Sequence, residues 1–289
     1  MTLTARTART APRRTRSATS PLRTLTALAV TVVFITPVYL VLVNTFKPGT
    51  DIFAHPGALP SHPTLANIRN VAGRPDNLFW SGLVNSVQVT ALSVIAATLL
   101  SALLAHYLVR TTTRSARVLT LLVLAGLMIP NTVTLEPVTE VLGRANLMGS
   151  VLGLVLANIA ANMPFGVLLF MGFVRNIPME LEEAAALDGS GPLRTFWSIV
   201  FPLMRPAAAS VLIFTAVGVW NDFVTPLIVL GPANGGTVTV GMYREISEHV
   251  SDYGAVFAFM VLATIPILIL FLFFQRYFVK GLLGGATKG

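Results

Sequence analysis

The sequence of 289 residues contains no cysteine and few charged residues. Without thiols the chain can form neither disulfides nor thiolate metal sites. Only 11% of its residues are charged, whereas soluble domains carry about 25%. Because 54% of the residues are hydrophobic, the chain has too little polar surface to face water on all sides. The composition therefore predicts an integral membrane protein.

The sequence also lacks the short motifs of common enzymes. It has no Gly-x-x-x-x-Gly-Lys-Ser/Thr segment, so it cannot hold ATP phosphates in that kind of loop. The four His residues never form a pair spaced by four, so the sequence offers no helical pair of His ligands for a metal ion. Asp222 is the one carboxylate that lies well inside a predicted span, and it has no basic neighbour in sequence. We expect no catalysis, no cofactor and no metal in this chain.

Long uncharged runs predict six membrane-spanning helices, since one span needs about 20 apolar residues. The fold is thus expected to be all-α, with a disordered basic tail over residues 1–23, a six-helix domain over 24–274 and a C-terminal tail over 275–289. Pro130 predicts a kink inside the third span, and Trp220–Asp222 interrupt the fifth. The predicted spans are residues 24–46, 85–109, 118–135, 148–174, 206–230 and 254–274.

The distribution of Lys and Arg predicts the orientation. With a cytoplasmic N-terminus, 15 of the 20 basic residues lie in the tails and in the loops that follow the second and fourth spans. The other loops hold five, namely Lys47, Arg69, Arg74, Arg144 and Arg244. Cytoplasmic loops of membrane proteins carry an excess of basic residues. We therefore expect both termini in the cytoplasm, and the net charge of +8 requires no nucleic-acid partner.

Residues 175–205 join the fourth and fifth spans and carry the signals of two short helices. Pro178 suits a first helical position, and Glu180, Glu182 and Glu183 crowd the first turns, where the helix dipole favours anions. Gly189 can adopt the left-handed conformation that ends a helix. A second helix is predicted over residues 193–200, with Phe196 and Ile199 on one side. The segment then redirects the chain at Pro202 and Pro206.

This segment resembles the EAA loop of ABC importer permeases. The resemblance lies in Glu183-Ala184-Ala185, Gly189, Ile199 and Pro202 at the spacing of that family, with Phe201 where the family usually has Leu. Other stretches are similar to carbohydrate-importer permeases of the maltose type. These stretches are Asn44–Pro48, Leu83–Ser86, Met128–Pro130, Pro164-Phe165, Trp220–Phe223 and the ending from Gln275 to Lys288-Gly289.

The resemblance implies a type I ABC importer permease in a bacterial cell membrane. It implies four kinds of partner: a cytoplasmic ABC ATPase dimer, a second homologous permease, an extracytoplasmic sugar-binding protein and membrane lipid. The loop would dock on the ATPase and transmit its motion. The residues expected to couple the two proteins are Glu183, Ala184, Ala185, Asp188, Gly189, Ile199 and Pro202.

Polar residues within the spans suggest a substrate pathway, because such residues are costly in a membrane and often functional. Asn158 and Asn162 are spaced by four and share a helix face. Trp220, Asn221 and Asp222 would lie near the outer end of the fifth span and could supply an aromatic platform and hydrogen bonds. The Asn pair could instead serve helix packing, and the second group could form a gate or a docking edge for the binding protein.

Two other functions are consistent with a hydrophobic chain that has several membrane spans. A stand-alone secondary transporter or channel usually has more charges within its spans or an inverted repeat, and neither is evident. A membrane-embedded enzyme would need a paired acid and base, which the spans lack. The favoured prediction is therefore a permease subunit that couples ATP hydrolysis by a separate subunit to alternating access, and the resemblance implies sugars or oligosaccharides as its substrates.

Overall fold

The computed structural model describes residues 21–231, 236–248 and 252–286, and within these ranges it contains α-helices and no strand. Most of the predicted N-terminal tail and Lys288-Gly289 lie outside the described residues. The helices are α1 (Pro21–Thr45), α2 (Gly49–Ala54), α3 (Ala66–Ala72), α4 (Leu78–Arg110), α5 (Arg114–Ala125), α6 (Asn131–Arg144), α7 (Val151–Val174), α8 (Glu180–Leu187), α9 (Pro192–Thr195), α10 (Phe201–Leu203), α11 (Arg205–Asn221), α12 (Val224–Val229), α13 (Val238–Glu248) and α14 (Tyr253–Ala286).

Four helices in the described part of the chain are long and apolar enough to cross a membrane by themselves. These are α1, α4, α7 and the segment Tyr253–Phe273 of α14. Two bent helix pairs meet the same criteria when each pair is taken together. The predicted all-α fold with six spans is confirmed if each bent pair counts as one span.

The third span is not the kinked helix that the sequence predicted. It is a pair, α5 and α6, which meet at an angle of 114°. A short 3-10 turn, Gly126–Met128, ends α5, and Ile129 is extended with φ −94° and ψ 120°. The physical reason is Pro130, because the residue before a proline is disfavoured in the helical conformation. Helix α6 ends at Arg144, which is nine residues beyond the predicted end of the third span.

The fifth span, predicted over residues 206–230 with an interruption at Trp220–Asp222, is interrupted at that place. Helix α11 ends at Asn221, and Asp222 is extended with ψ 132°. The Asp222 carboxylate then accepts the backbone N–H of Thr225 at 3.3 Å and thereby caps α12. At its other end, α11 is bent by 78° from the segment Pro192–Leu203. Pro206 stands in the first turn of α11, where its missing N–H costs no hydrogen bond.

Helices α4 and α7 form the centre of the described fold and approach each other closely. The buried positions of α4 include Ser93, Ala97 and Ser101, which are small, and small residues let membrane helices approach. A Cβ atom on Gly166 of α7 would lie 2.5 Å from the Ser101 Oγ. The Ser101 hydroxyl donates to the Met163 carbonyl oxygen at 3.2 Å. Glycine at 166 and serine at 101 therefore set the distance between the two helices.

The outer helices depart from the predicted boundaries in a simple way. Helix α1 begins at Pro21, so residues 21–23 are helical instead of part of a disordered tail. Helix α14 continues through Ala286, so the predicted tail over 275–289 begins as a helix. Helix α4 starts at Leu78, seven residues before the predicted start of the second span. The helices exceed the predicted spans at all three places, since the apolar length that crosses a membrane sets only a minimum for the helix.

Candidate functional site

The loop between α7 and α11 has the two-helix shape that its sequence predicted. Helix α8 carries Glu180, Glu182 and Glu183 in its first turn. Gly189 ends the helix in the left-handed conformation, with φ +78°. The N–H of Ser190 donates to the Ala185 carbonyl at 2.9 Å, and the N–H of Gly189 donates to the Ala186 carbonyl at 3.0 Å. This pair of bonds is the Schellman closure, which requires a residue that tolerates positive φ.

The second half of the loop turns more widely than a regular α-helix. Residues Phe196–Val200 form one π-helical turn, and the N–H of Phe201 donates to the Phe196 carbonyl five residues earlier. The wide turn directs Phe196, Val200 and Met204 into a buried cluster that includes Phe170 and Val174 of α7. Ile199 is half-buried instead of sharing the inner position of Phe196. The loop is thus anchored by its second half.

The first half of the loop remains on the surface of the chain. Glu183, Ala184, Asp188 and Gly189 are exposed, whereas Ala185 is buried. Leu187 is 90% exposed at the tip of α8. The remaining predicted coupling residues, Ile199 and Pro202, belong to the second half of the loop and are half-buried. An exposed leucine beside small and acidic residues is a surface that another protein can cover.

Sequence reasoning missed the role of Glu182, whose carboxylate contacts two side chains of α4. The Glu182 Oε2 lies 2.8 Å from the His106 Nε2, and the Arg110 Nε donates to the Glu182 Oε1 at 2.8 Å. Arg110 also donates to the Ile177 carbonyl at 2.9 Å. The spacing of His106 and Arg110 by four residues at the end of a span was the available signal. It places both side chains on one helix face.

A second feature is a cavity of about 530 Å³ between α6, α7 and the end of α11. Four of the five predicted pathway residues line it: Asn158, Asn162, Asn221 and Asp222. Three polar residues that the prediction missed, Asn131, Thr132 and Thr134, line the cavity from α6. The sharp bend at Pro130 directs α6 to this cavity. The proline in the sequence predicted a break in the helix, but it did not indicate the direction that α6 would take.

Local hydrogen bonds orient the polar side chains of the cavity. The amide nitrogens of Asn158, Asn162 and Asn221 each donate to the carbonyl oxygen four residues earlier, at 3.0, 2.8 and 2.9 Å. Each amide oxygen remains an acceptor for further partners, and each amide nitrogen keeps a second N–H donor. Together with the Asp222 carboxylate, the cavity wall is rich in acceptors. Such a wall suits a ligand with several hydroxyl donors.

Trp220 does not line this cavity, and it borders a different one together with Asn221. Its side chain is only 6% exposed and packs among Phe79, Val238 and Phe259. The indole N–H donates to the Ala263 carbonyl of α14 at 3.3 Å. The ring therefore packs α11 against α14, and a role for Trp220 as an aromatic platform stays a prediction.

Comparison with known proteins identifies the kind of molecule that has this loop and this cavity. Residues 97–284 match the family described as binding-protein-dependent transport system inner membrane component. The chain belongs to this family. The match covers α4 from Ala97 onwards, both bent pairs, the loop and α14. The chain is therefore an ABC importer permease, which is a multi-pass membrane protein that works with a substrate-binding protein.

Relatives match this permease over nearly their full length. It is 33% identical to the diacetylchitobiose uptake system permease protein NgcG of Streptomyces coelicolor, over 85% of this chain and 81% of that protein. It is 30% identical to the melibiose/raffinose/stachyose import permease protein MelC of Bacillus subtilis, over 92% and 96% of the two chains. A chain in the crystal structure of a bacterial ABC transporter that imports alginate has the same fold, with a TM-score of 0.77 at 19% identity over 89% and 95% of the two chains.

Membership of this family confirms the predicted function and decides between the alternatives. A permease of an ABC importer is a transport subunit and is not itself an enzyme, as the missing phosphate-binding loop indicated. The alternative of a stand-alone secondary transporter or channel is not supported, because the family depends on a binding protein. The prediction of a bacterial plasma-membrane protein with several spans is also confirmed.

Proposed function

We propose that this permease imports sugars or oligosaccharides and that a separate cytoplasmic ATPase dimer drives it. The two relatives named above are, by their names, permeases for diacetylchitobiose and for melibiose, raffinose and stachyose. The acceptor-rich cavity supports the same class of substrate, since sugars present many hydroxyl donors. A second, homologous permease would complete the pathway on the open side of the cavity.

The observation that carries the coupling part of the proposal is the exposed surface of α8. Glu183, Ala184, Asp188 and Gly189 lie there beside the exposed Leu187. Ala184 and Gly189 allow a cleft wall to approach closely, and Leu187 supplies apolar area that is unburied in the chain alone. We assign this surface, together with Ala185, Ile199 and Pro202, to the ATPase. Both termini and residues 175–205 are then cytoplasmic.

In the proposed cycle, ATP binding closes the ATPase dimer and draws the two permeases' loops together. The pathway then opens towards the binding protein, and hydrolysis returns it to the cytoplasmic side. Asn158, Asn162, Asn221 and Asp222 would contact the passing sugar. The competing role for the Asn pair is helix packing, because their amide nitrogens already bond within α7. Trp220 is assigned to packing.

Reconstitution tests the proposal directly. The chain is co-expressed with a partner permease and an ATPase, purified through a tag on this chain and placed in proteoliposomes with the binding protein. We expect co-purification of the ATPase and sugar uptake that requires ATP. A thermal-shift panel of sugars on the binding protein identifies the substrate. Uptake by the purified chain alone, without ATP, would contradict the proposal.

A further inference from the structure

We propose that Glu182 is the positioning residue that ties the coupling surface to the membrane-spanning helix α4. This inference rests on the proposed function, since it assumes that α8 meets the ATPase. In this role Glu182 does not itself touch the ATPase. It holds α8 on α4 through Arg110 and His106, so that a displacement of α8 moves α4 with it.

The geometry of the contact supports a rigid link. The two carboxylate oxygens of Glu182 have different partners: His106 at 2.8 Å on one, and the Arg110 Nε at 2.8 Å and its terminal nitrogen at 2.7 Å on the other. The Arg110 side chain also donates to the Ile177 carbonyl, just before α8. Charge-assisted contacts on both oxygens restrict the orientation of the carboxylate as well as its distance from α4.

The contact is partly shielded from solvent. The side chains of His106, Arg110 and Glu182 are 19%, 16% and 12% exposed. Exposed ion pairs add little because solvent screens them, and shielded pairs are screened less. The exposed pair Arg144 and Glu140, at 79% and 63%, offers the contrast within the same chain. An ion pair at this shielded position can therefore keep α8 attached to α4 when α8 is displaced.

Helix α8 has little else to hold it. Ala185 is its one buried residue, and Leu181 and Leu187 are exposed. Among the described residues, Glu182 is the α8 side chain whose hydrogen bonds reach a membrane-spanning helix. The His106 ring also packs against Phe196 at a centroid distance of 5.3 Å. The end of α4 thus contacts both halves of the loop, and its link to α8 is the ionic one.

Helix α4 is suited to carry a displacement across the membrane. It has 33 residues without a proline, which corresponds to about 50 Å at 1.5 Å per residue. At the opposite end, the Asn85 amide donates to the Gly236 carbonyl at 2.8 Å. The Ser86 Oγ accepts the N–H of Val238 at 2.8 Å. A displacement of α4 along its axis at Arg110 would therefore be transmitted to Gly236 and Val238, at the start of α13.

The test uses the complete transporter in proteoliposomes with Glu182→Gln, Arg110→Gln and the double variant. Glu180→Gln is the matched control, because Glu180 is an exposed acid in the same helical turn. Three quantities are measured: the amount of ATPase that co-purifies, the basal ATPase rate, and the sugar transported per ATP hydrolysed. Hydrogen exchange of the α8 amides is measured on the purified chain alone.

We expect Glu182→Gln to keep ATPase association and basal hydrolysis within about twofold of the unmodified complex. The sugar transported per ATP should fall about tenfold or more, which is the size of effect expected from losing one charge-assisted hydrogen bond. Exchange of the α8 amides should rise, and the double variant should be no worse than either single one. Glu180→Gln should behave as the unmodified protein.

Two results would overturn the inference. One is normal transport per ATP in Glu182→Gln. The other is loss of transport that is matched by loss of the ATPase, since Glu182 would then belong to the docking surface. If the unmodified chain binds no ATPase at all, the proposed function fails instead. The exchange measurement on the isolated chain still reports whether Glu182 holds α8 to α4.

Discussion

Trp220 and Asp222 are separated by one residue, yet they lie in different surroundings. The indole N–H of Trp220 donates to the Ala263 carbonyl within a buried cluster, whereas Asp222 lines the polar cavity. The end of α11 at Asn221 accounts for the difference, since the backbone becomes extended at Asp222 and no longer follows the helix. A sequence motif that looks like one site is thus divided between a buried cluster and a cavity, and mutations can separate the two positions.

Trp220→Phe should lower stability and leave the affinity for sugar unchanged. The substitution removes the hydrogen bond to Ala263 and part of the buried ring, which together cost about 1–3 kcal/mol. Thermal unfolding in detergent measures the loss, and the KM for uptake should stay within about twofold. Trp197→Phe is the control, because Trp197 is 43% exposed. A changed KM at an unchanged Tm would restore Trp220 to the pathway.

Asp222→Asn should weaken transport while the protein remains folded. An asparagine oxygen can still accept the Thr225 N–H and cap α12, but the charge that faces the cavity is lost. A hydrogen bond to a charged group is worth about 1.5–3 kcal/mol, so the KM for sugar should rise roughly 10- to 100-fold. Uptake kinetics in proteoliposomes provide the measurement.

Asp252→Asn is the matched control for Asp222. The Asp252 Oδ1 accepts the N–H of Ala255 at 3.0 Å at the start of α14, so it has the same capping role, and it does not line the cavity. This variant should transport normally. If both variants lose transport equally, the defect follows from the loss of an aspartate charge at a helix start, and Asp222 has no special role in the pathway.

Substitutions at Gly189 should show whether the ATPase requires the positive φ of this residue or the absence of a side chain there. A Cβ atom at Gly189 would meet no atom of this chain within 4 Å, but its φ is +78°. Asn tolerates that conformation, whereas a β-branched residue does not. Gly189→Val should therefore reduce ATPase association more than Gly189→Asn, as measured by co-purification and titration of the ATPase.

Gly191→Val serves as the control for this pair. Gly191 has φ −72° and equally open surroundings, so it makes no demand for positive φ. We expect this variant to bind the ATPase almost normally. Equal losses in Gly189→Asn and Gly189→Val would mean that the docked partner excludes any side chain there, and that the helix closure is secondary.

Two alanine substitutions in α7 should change stability in opposite directions. At Gly166 the added Cβ would lie 2.5 Å from the Ser101 Oγ and 2.7 Å from its Cβ, so overpacking should cost about 1–3 kcal/mol. At Gly172 it would meet nothing within 4 Å, and replacing a helical glycine by alanine gains about 1 kcal/mol. Unfolding of both variants in one detergent gives the comparison. Stabilisation by Gly166→Ala would show that α4 and α7 can separate without cost.

The sequence by itself determined the features that depend on neighbours in the chain. Apolar runs set the approximate positions of the spans, because crossing a membrane requires about 20 apolar residues in succession. The limits of α8 followed from the acids at its start and from Gly189 at its end, and each of these acts within a few residues. The spacing of the loop motif was sufficient to indicate the family.

Only the tertiary structure decided which distant residues meet. Glu182 bonds to His106 and Arg110, which precede it by 76 and 72 residues, and no periodicity in the sequence records such a pairing. The direction of α6 after Pro130 and the burial of Trp220 likewise depend on how the helices pack. A proline or a polar triplet marks where a helix ends, but the neighbours that fill the space determine which side chains then share a cavity and which become part of the core.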